Sequence, residues 1–387
     1  MIFLSGCIGK GVRNSNYELM RIVSMFLIVL CHVINHGHVF DNCSNPCLKI
    51  IFQVIFFFTL VHVNSFVLLT GYYQSKSSFK QSKLWSIINA NWFYRVVILL
   101  FLLFIGLFSE DKVVIIREIL PINIKEYWFV QCYILLYCIS PFINSFINSL
   151  KKRNYQRLLV ALFIILSIIP TITGNNFLNN NGYTLYHFIY LYLIGAYLRE
   201  YPLNESYLFK NMSKNMYQVS LVFIFFICLI ANLFSFYFFS SILDYNSITK
   251  EFAGYFLDFS VFYSNPLIIF QSIAYFLFFE TLSIKSKFIN KCASLTLGVY
   301  LIHDNDFIRP YLYKFLKISN VTIKSYKFIV YVICISILIY VVCSFIEFIR
   351  QVIFKFIYNL SISHKLRKSY YSFIKGLYIK DKKVFDK

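Results

Sequence analysis

The sequence is poor in charged residues. Asp, Glu, Lys and Arg make up 14% of its 387 residues, whereas 59% are hydrophobic. A typical soluble domain has about 25% charged residues. This shortage excludes an ordinary soluble globule, a disordered chain and a small disulfide-bonded scaffold, and it predicts a polytopic membrane protein.

Acidic residues are especially scarce, at 17 against 37 Lys and Arg, which gives a formal net charge of +20. In a soluble protein such a charge would suggest a nucleic-acid partner. The sequence lacks an RNP motif, a zinc-finger pattern and a helix-turn-helix pattern, however. We therefore expect the lipid bilayer as a partner, and no nucleic acid.

The sequence also lacks an internal repeat, a low-complexity linker and any stretch long enough for a separate soluble domain. We expect a cytoplasmic N-terminal segment at 1–17, a transmembrane domain at 18–349 and a basic cytoplasmic tail at 350–387. Any chemistry must then use side chains in the spans and their short connections.

Apolar runs long enough to cross about 30 Å of hydrocarbon predict an all-α integral membrane protein, a bundle of about ten transmembrane helices. Alternate connections, together with both termini, carry 25 of the 37 Lys and Arg residues. By the positive-inside rule, both termini are predicted to be cytoplasmic. The predicted spans are 18–36, 50–71, 84–108, 127–147, 158–174, 184–198, 217–240, 260–282, 294–316 and 326–349.

The tail from residue 350 carries ten Lys and Arg among aromatic and aliphatic residues. It could lie on anionic lipid as an amphipathic segment. It could equally serve as a topology signal with a solvated end. The pattern leaves both interpretations open.

The first span contains two groups that are unusual in a bilayer, Arg21 and His32. Their spacing of eleven residues places them within about 20° of one helix face and about 16 Å apart along the axis. Such a face could hold an anionic donor at one end and a general base at the other. Alternatively, Arg21 pairs with Glu18 and His32 bonds to a backbone carbonyl.

A second cluster lies in the ninth predicted span, where His303, Asp304, Asp306 and Arg309 precede Pro310. Counted from the cytoplasmic side, His303 lies close to the depth expected of His32. We expect His303 and Asp304 to reach the same cavity as His32. The alternative is that the span ends early and these residues form an interfacial loop.

Three further features of the spans have simpler interpretations. Arg95 is an ion within the third span that could snorkel between two aromatic residues. His62 and His187 are lone histidines without a charged neighbour, and we expect both to bond to backbone.

A metal site must also be weighed, because His32, His36 and His38 precede Cys43 and Cys47. His38 lies beyond the expected helix end, and the nearest carboxylate is a single aspartate. We therefore predict no metal. Cys43 and Cys47 could form a short local disulfide.

The first span resembles the membrane-bound acyltransferase 3 family, integral membrane acyltransferases that modify bacterial surface carbohydrates. The family's hallmark is a basic residue, ten arbitrary residues and a histidine, preceded by Glu-Leu, which here is Glu18-Leu19, Arg21 and His32. Four later stretches agree in order and spacing: SFVLLTGYY at 65–73, YWFVQCYILLYCISPFIN at 127–144, HFIYLYLIGAYLR at 187–199 and LGVYLIHDNDFIRP at 297–310.

This resemblance implies acyl transfer, usually of acetyl from acetyl-CoA, to a hydroxyl of a surface polysaccharide or glycolipid precursor. Acetyl-CoA would then be the donor substrate, with no permanently bound cofactor. His32 and Arg21 are expected to be catalytic, and His303, Asp304, Glu18, Arg95 and Lys83 to bind substrate. The implied location is a bacterial plasma membrane.

The chain departs from the family pattern in its third span. The family often has an arginine-rich run and a proline there, whereas this chain has Lys80, Lys83 and then Arg95 without a proline. Lys83 is therefore only a partial match to a donor-phosphate residue.

Two other functions compete with acyl transfer. A transporter or flippase of lipid-linked sugars would also have buried ions, but the sequence shows no paired interrupted helices in matching halves. A polysaccharide polymerase would be expected to carry a large outside loop, and none is present.

Overall fold

Helices form the scaffold in this computed structural model, which describes residues 14–107, 127–174, 180–242, 247–316 and 323–359, with Ile115 and Ile318 as single residues. Within these residues there is no β-sheet, and one isolated bridge joins Cys43 to Ile323. The prediction of an all-α protein is confirmed. Residues 360–387, most of the predicted basic tail, lie outside the described part.

Sixteen α-helices follow one another in the described residues, and a π-helical turn at Ile164–Ile168 joins the seventh to the eighth. They are α1 Ser15–His36, α2 Val39–Asn42, α3 Pro46–Thr59, α4 His62–Gln74, α5 Gln81–Phe104, α6 Trp128–Asn148, α7 Lys152–Phe163, α8 Ile169–Thr173, α9 Leu185–Glu200, α10 Lys214–Ile242, α11 Ser247–Phe259, α12 Pro266–Glu280, α13 Lys287–Cys292, α14 Thr296–His303, α15 Arg309–Phe315 and α16 Lys327–Asn359.

Seven helical segments of the described chain are long and apolar enough to cross a membrane, so the protein is a multi-pass membrane protein. The predicted spans at 184–198 and 260–282 correspond to shorter helices, α9 and α12, of 16 and 15 residues. The predicted span at 294–316 is two short helices. The figure of about ten is therefore approximate. The seven segments are α1, α3 with α4, α5, α6, α7 to α8, α10 and most of α16.

Glycine lets α4 and α9 cross closely. A Cβ added at Gly71 would lie 2.1 Å from the carbonyl oxygen of Tyr192, and one added at Gly195 would lie 2.1 Å from that of Leu68. Small residues at a crossing allow two membrane helices to approach backbone to backbone. This contact fixes α4, whose first residue is His62.

The predicted ninth span is broken after His303. The helix α14 ends there, and the side chain of Asn305 accepts hydrogen bonds from the backbone N–H groups of Phe307 and Ile308. Pro310 then stands in the first turn of α15, where its missing N–H costs nothing. The break turns Asp304 out of a regular helix, yet His303 and Asp304 are both buried.

The predicted tail boundary at residue 350 is not the end of a helix. The last helix, α16, continues to Asn359. Arg350 is 4% exposed and donates to both carboxylate oxygens of Glu347, at 2.7 and 2.6 Å. Because Glu347 is the i−3 neighbour on a buried face, Arg350 belongs to the bundle and not to a solvated tail. Glu347 also packs on Gly298 of α14, where an added Cβ would lie 2.5 Å from it.

Candidate active site

A cavity of about 480 Å³ runs beside α1. Its lining includes Tyr17, Glu18 and Arg21 from the start of that helix, and His32 and His36 from its end. Further walls come from α3, α4, α5, α6 and α14. The volume lies in the range of small-molecule sites, about 300–1,000 Å³.

His32 is held by a histidine 271 residues away. Its Nδ1 lies 3.1 Å from Nε2 of His303, and Nδ1 of His303 lies 2.6 Å from the carbonyl oxygen of Val299. A carbonyl only accepts, so His303 carries its proton on Nδ1 and presents Nε2 as an acceptor. Nδ1 of His32 is then the donor, and its Nε2 is left as an unprotonated acceptor.

A carboxylate also faces the same nitrogen of His32. Oδ1 of Asp304 lies 3.3 Å from His32 Nδ1 and 3.2 Å from Nη2 of Arg309. Arg309 also binds Asp306 at 2.6 Å. The Asp304 carboxylate, 9% exposed, thus bridges an imidazole and a guanidinium at the cavity wall. An imidazole whose second nitrogen is held in this way has a fixed tautomer and orientation.

His32, His303 and Asp304, which were predicted from the sequence to share one cavity, do lie together. Only two of them line the cavity. His32 and Asp304 line the cavity, whereas His303 is 1% exposed and is not part of the lining. The side chain of His303 therefore supports His32 from behind, away from any bound substrate.

At the other end of the cavity, Arg21 forms the ion pair that was weighed as its alternative interpretation. Its Nη1 donates to Oε2 of Glu18 at 2.8 Å, and its Nη2 donates to Oγ1 of Thr296 at 3.2 Å. All three residues line the cavity. A guanidinium has five N–H donors, so these two bonds leave further donors for a ligand.

The two cations expected from α5 lie in different places. Lys83 lines the cavity and is 6% exposed, with its Nζ 4.6 Å from the ring centre of Tyr137. Arg95 is 1% exposed and lies outside the lining. Arg95 is therefore enclosed by protein and does not snorkel to an interface, and no direct contact with a ligand in this cavity is open to it.

His36 and Arg309 also line the cavity, although neither was predicted from the sequence to belong to the site. The sequence spacing could have indicated both residues: His36 lies four residues after His32, and Arg309 lies five residues after Asp304. One ligand atom each from His32, His36 and Asp304 lies within 4.8 Å of the others, close enough to hold a metal ion.

The full metal grouping weighed from the sequence does not assemble, because only His32 and His36 of its five members belong to that cluster. His38 is exposed and pairs with Asp41 at 3.1 Å. Cys43 and Cys47 are free thiols, so the local disulfide considered from the sequence is absent. Neither cysteine belongs to the cluster around His32.

The buried histidines His62 and His187 were expected to bond to backbone, and neither does. Nε2 of His187 lies 3.1 Å from the side-chain oxygen of Asn64. His62 lines the cavity, and neither of its ring nitrogens has a hydrogen-bond partner among the described residues. Whether a buried histidine has a hydrogen-bond partner depends on tertiary packing, so this feature could not be predicted from the sequence.

Comparison with known families gives one match. The acyltransferase 3 family model, described as an acyltransferase domain, matches residues 14–348. The matched range includes all the residues of the cavity described above. No curated protein and no solved structure matches the chain.

Proposed function

This chain belongs to the acyltransferase 3 family and is a membrane acyltransferase, and from that premise we propose its reaction. The proposed donor is acetyl-CoA. The proposed acceptor is a sugar hydroxyl of a cell-surface polysaccharide or of a glycolipid precursor. The proposed location is a bacterial plasma membrane with both termini in the cytoplasm.

The observation that carries this proposal is the state of His32. Its Nδ1 is engaged by His303 and Asp304, while no described residue hydrogen-bonds to its Nε2. A neutral imidazole with one nitrogen held and the other free is the arrangement of a general base. Acetyl transfer to a hydroxyl needs such a base.

Nε2 of His32 takes the proton of the sugar hydroxyl while the hydroxyl oxygen attacks the thioester carbonyl carbon. The carbon–sulfur bond then breaks, the acetyl ester forms, and the coenzyme A thiolate receives the proton from the His32 imidazolium. Asp304 stabilises that imidazolium through its contact at 3.3 Å with Nδ1.

The opposite end of the cavity supports an anionic donor. Arg21 lines this end and Lys83 lines the same cavity. Eleven residues of helix separate Arg21 from His32 by about 16 Å. Phosphates of coenzyme A near these cations would leave an extended pantetheine arm directed along the cavity towards His32. Glu18 neutralises part of the charge of Arg21, and Lys83 adds a second cation to the cavity lining.

Arg309 supports a second role beside the base. It lines the cavity, and its Nε is buried without a hydrogen-bond partner among the described residues. Negative charge develops on the carbonyl oxygen during acyl transfer, and a guanidinium donor in a dry site would stabilise it. We assign this stabilisation to Arg309.

The test is turnover of radiolabelled acetyl-CoA by purified protein with candidate glycans. His32→Ala should lower kcat by about 10²–10⁴-fold, the range for general-base catalysis, and should leave membrane insertion intact. The matched control is His38→Ala, since His38 is exposed and lies outside the cavity. Retention of more than about a tenth of wild-type kcat by His32→Ala would exclude His32 as the base.

A further inference from the structure

His62 is a buried polar group that the proposed reaction does not use. It is 1% exposed, begins α4 and lines the cavity. Both of its ring nitrogens are buried without a hydrogen-bond partner among the described residues. A buried polar group without a partner destabilises a fold by about 1–3 kcal/mol, so a position like this one points to a partner that is not part of the chain.

Three aromatic side chains continue the cavity wall from His62. The His62 ring lies 5.7 Å from that of Tyr263, which stacks on Trp128 at 6.0 Å, and Trp128 lies 4.4 Å from Tyr183. All three line the cavity, and Tyr183 is 40% exposed. We refer to Trp128, Tyr183 and Tyr263 as the aromatic wall.

We propose that His62 and the aromatic wall form the subsite that binds the acceptor sugar. This assignment rests on the proposed acyl transfer to a sugar hydroxyl. A pyranose ring has apolar C–H faces and a polar edge of hydroxyl groups. The aromatic wall supplies flat apolar surface for a face. A neutral imidazole donates one hydrogen bond and accepts another, so His62 can bind two neighbouring hydroxyls of the edge.

The chemistry of His62 separates a sugar from the main competing occupant, a long acyl chain. An acyl chain would fill an aromatic-lined space but would leave both ring nitrogens without partners. A sugar hydroxyl removes that penalty. His62 and His32 line the same cavity, so a sugar at this subsite shares its space with the proposed base.

The test measures sugar binding without acyl transfer. The chain has three tryptophans, and Trp85→Phe with Trp92→Phe leaves Trp128 as the fluorescent reporter in the aromatic wall. Purified full-length protein in detergent is titrated with methyl glucoside, methyl galactoside and methyl N-acetylglucosaminide, and separately with coenzyme A. We expect saturable quenching of Trp128 by at least one glycoside, and about tenfold weaker binding in His62→Leu with unchanged affinity for coenzyme A.

The matched control is His187→Leu. His187 is buried to the same degree, but its Nε2 bonds to Asn64 and it does not line the cavity. We expect His187→Leu to lower the thermal stability and to keep glycoside affinity. His62→Leu removes an unpartnered group, so its thermal stability should stay the same or rise.

Three results would overturn the assignment. These are the absence of any glycoside response, an equal loss of glycoside affinity in His187→Leu, and a His62→Leu defect confined to coenzyme A. The outcome is separable from that of the proposed function. Glycoside binding without acetyl transfer to any glycan would overturn the reaction alone, whereas acetyl transfer without glycoside binding at Trp128 would overturn the subsite alone.

Discussion

Replacing His303 tests the hydrogen-bonded pair of histidines directly. His303→Ala removes the acceptor that lies 3.1 Å from Nδ1 of His32 and leaves the Asp304 oxygen at 3.3 Å. The base keeps one of its two partners, so its tautomer is retained but its ring is held less firmly. Loss of the partner that orients a metal-bound histidine typically costs about 10–100-fold, and we expect a loss of kcat of about that size here.

The assay is steady-state acetyl transfer with both substrates varied. Because His303 does not line the cavity, the KM values for acetyl-CoA and for the glycan should change little compared with kcat. His303→Gln offers the matched variant, since its side-chain oxygen can accept from His32 Nδ1. It should recover part of the lost kcat, and thermal stability measured alongside separates this effect from unfolding.

Two results would refute the supporting role of His303. A rise in the glycan KM with unchanged kcat would place His303 in contact with the acceptor, as the sequence analysis expected. Wild-type kcat in His303→Ala would show that Asp304 alone orients the base.

Three further predictions concern the donor end, the helix crossing and metal. Arg21→Ala should chiefly raise the KM for acetyl-CoA, and Arg21→Lys should be tolerated in part if charge is what matters; an unchanged donor KM with misinserted protein would make Arg21 a topology anchor. Gly195→Ala should destabilise the fold by about 1–3 kcal/mol, because its Cβ would lie 2.1 Å from the Leu68 carbonyl and α4 and α9 must separate; thermal unfolding checks this, and a wild-type melting temperature would contradict it. Activity should survive EDTA, since the role proposed for His32 is that of a base and needs no metal; loss of activity that zinc restores would instead make His32, His36 and Asp304 metal ligands.

The sequence predicted best what depends on a single helix. Arg21 and His32 share α1, so their spacing alone gave their common face and separation. The Arg21–Glu18 pair, weighed as the alternative interpretation of Arg21, also depended on a spacing of three residues in one helix. Most of the predicted spans likewise lie on helices, because each depends on local hydrophobicity, but the span at 294–316 is two short helices.

Features set by tertiary contacts were predicted less well. Arg350 was counted with the basic tail, although Glu347 three residues before it was a local sign of a buried pair. His62 was expected to bond to backbone, but whether an imidazole finds a partner depends on what α4 packs against. Arg95 was expected at an interface, because its burial depends on helices that come from other parts of the chain.

The break after His303 shows why predicting that His303 and His32 share one region was not enough to assign their roles. His303 and Asp304 are adjacent, and in a continuous helix their side chains would point about 100° apart. Here His303 is the last residue of α14 and lies behind His32, while Asp304, whose backbone N–H still bonds to the Tyr300 carbonyl, lines the cavity. The Asn305 side chain caps the following turn and also donates to Tyr127 at 2.9 Å, which ties the break to α6. A polar turn fixed in the bundle thus places an imidazole and a carboxylate on one nitrogen of His32, and it leaves the other nitrogen for the proposed acceptor.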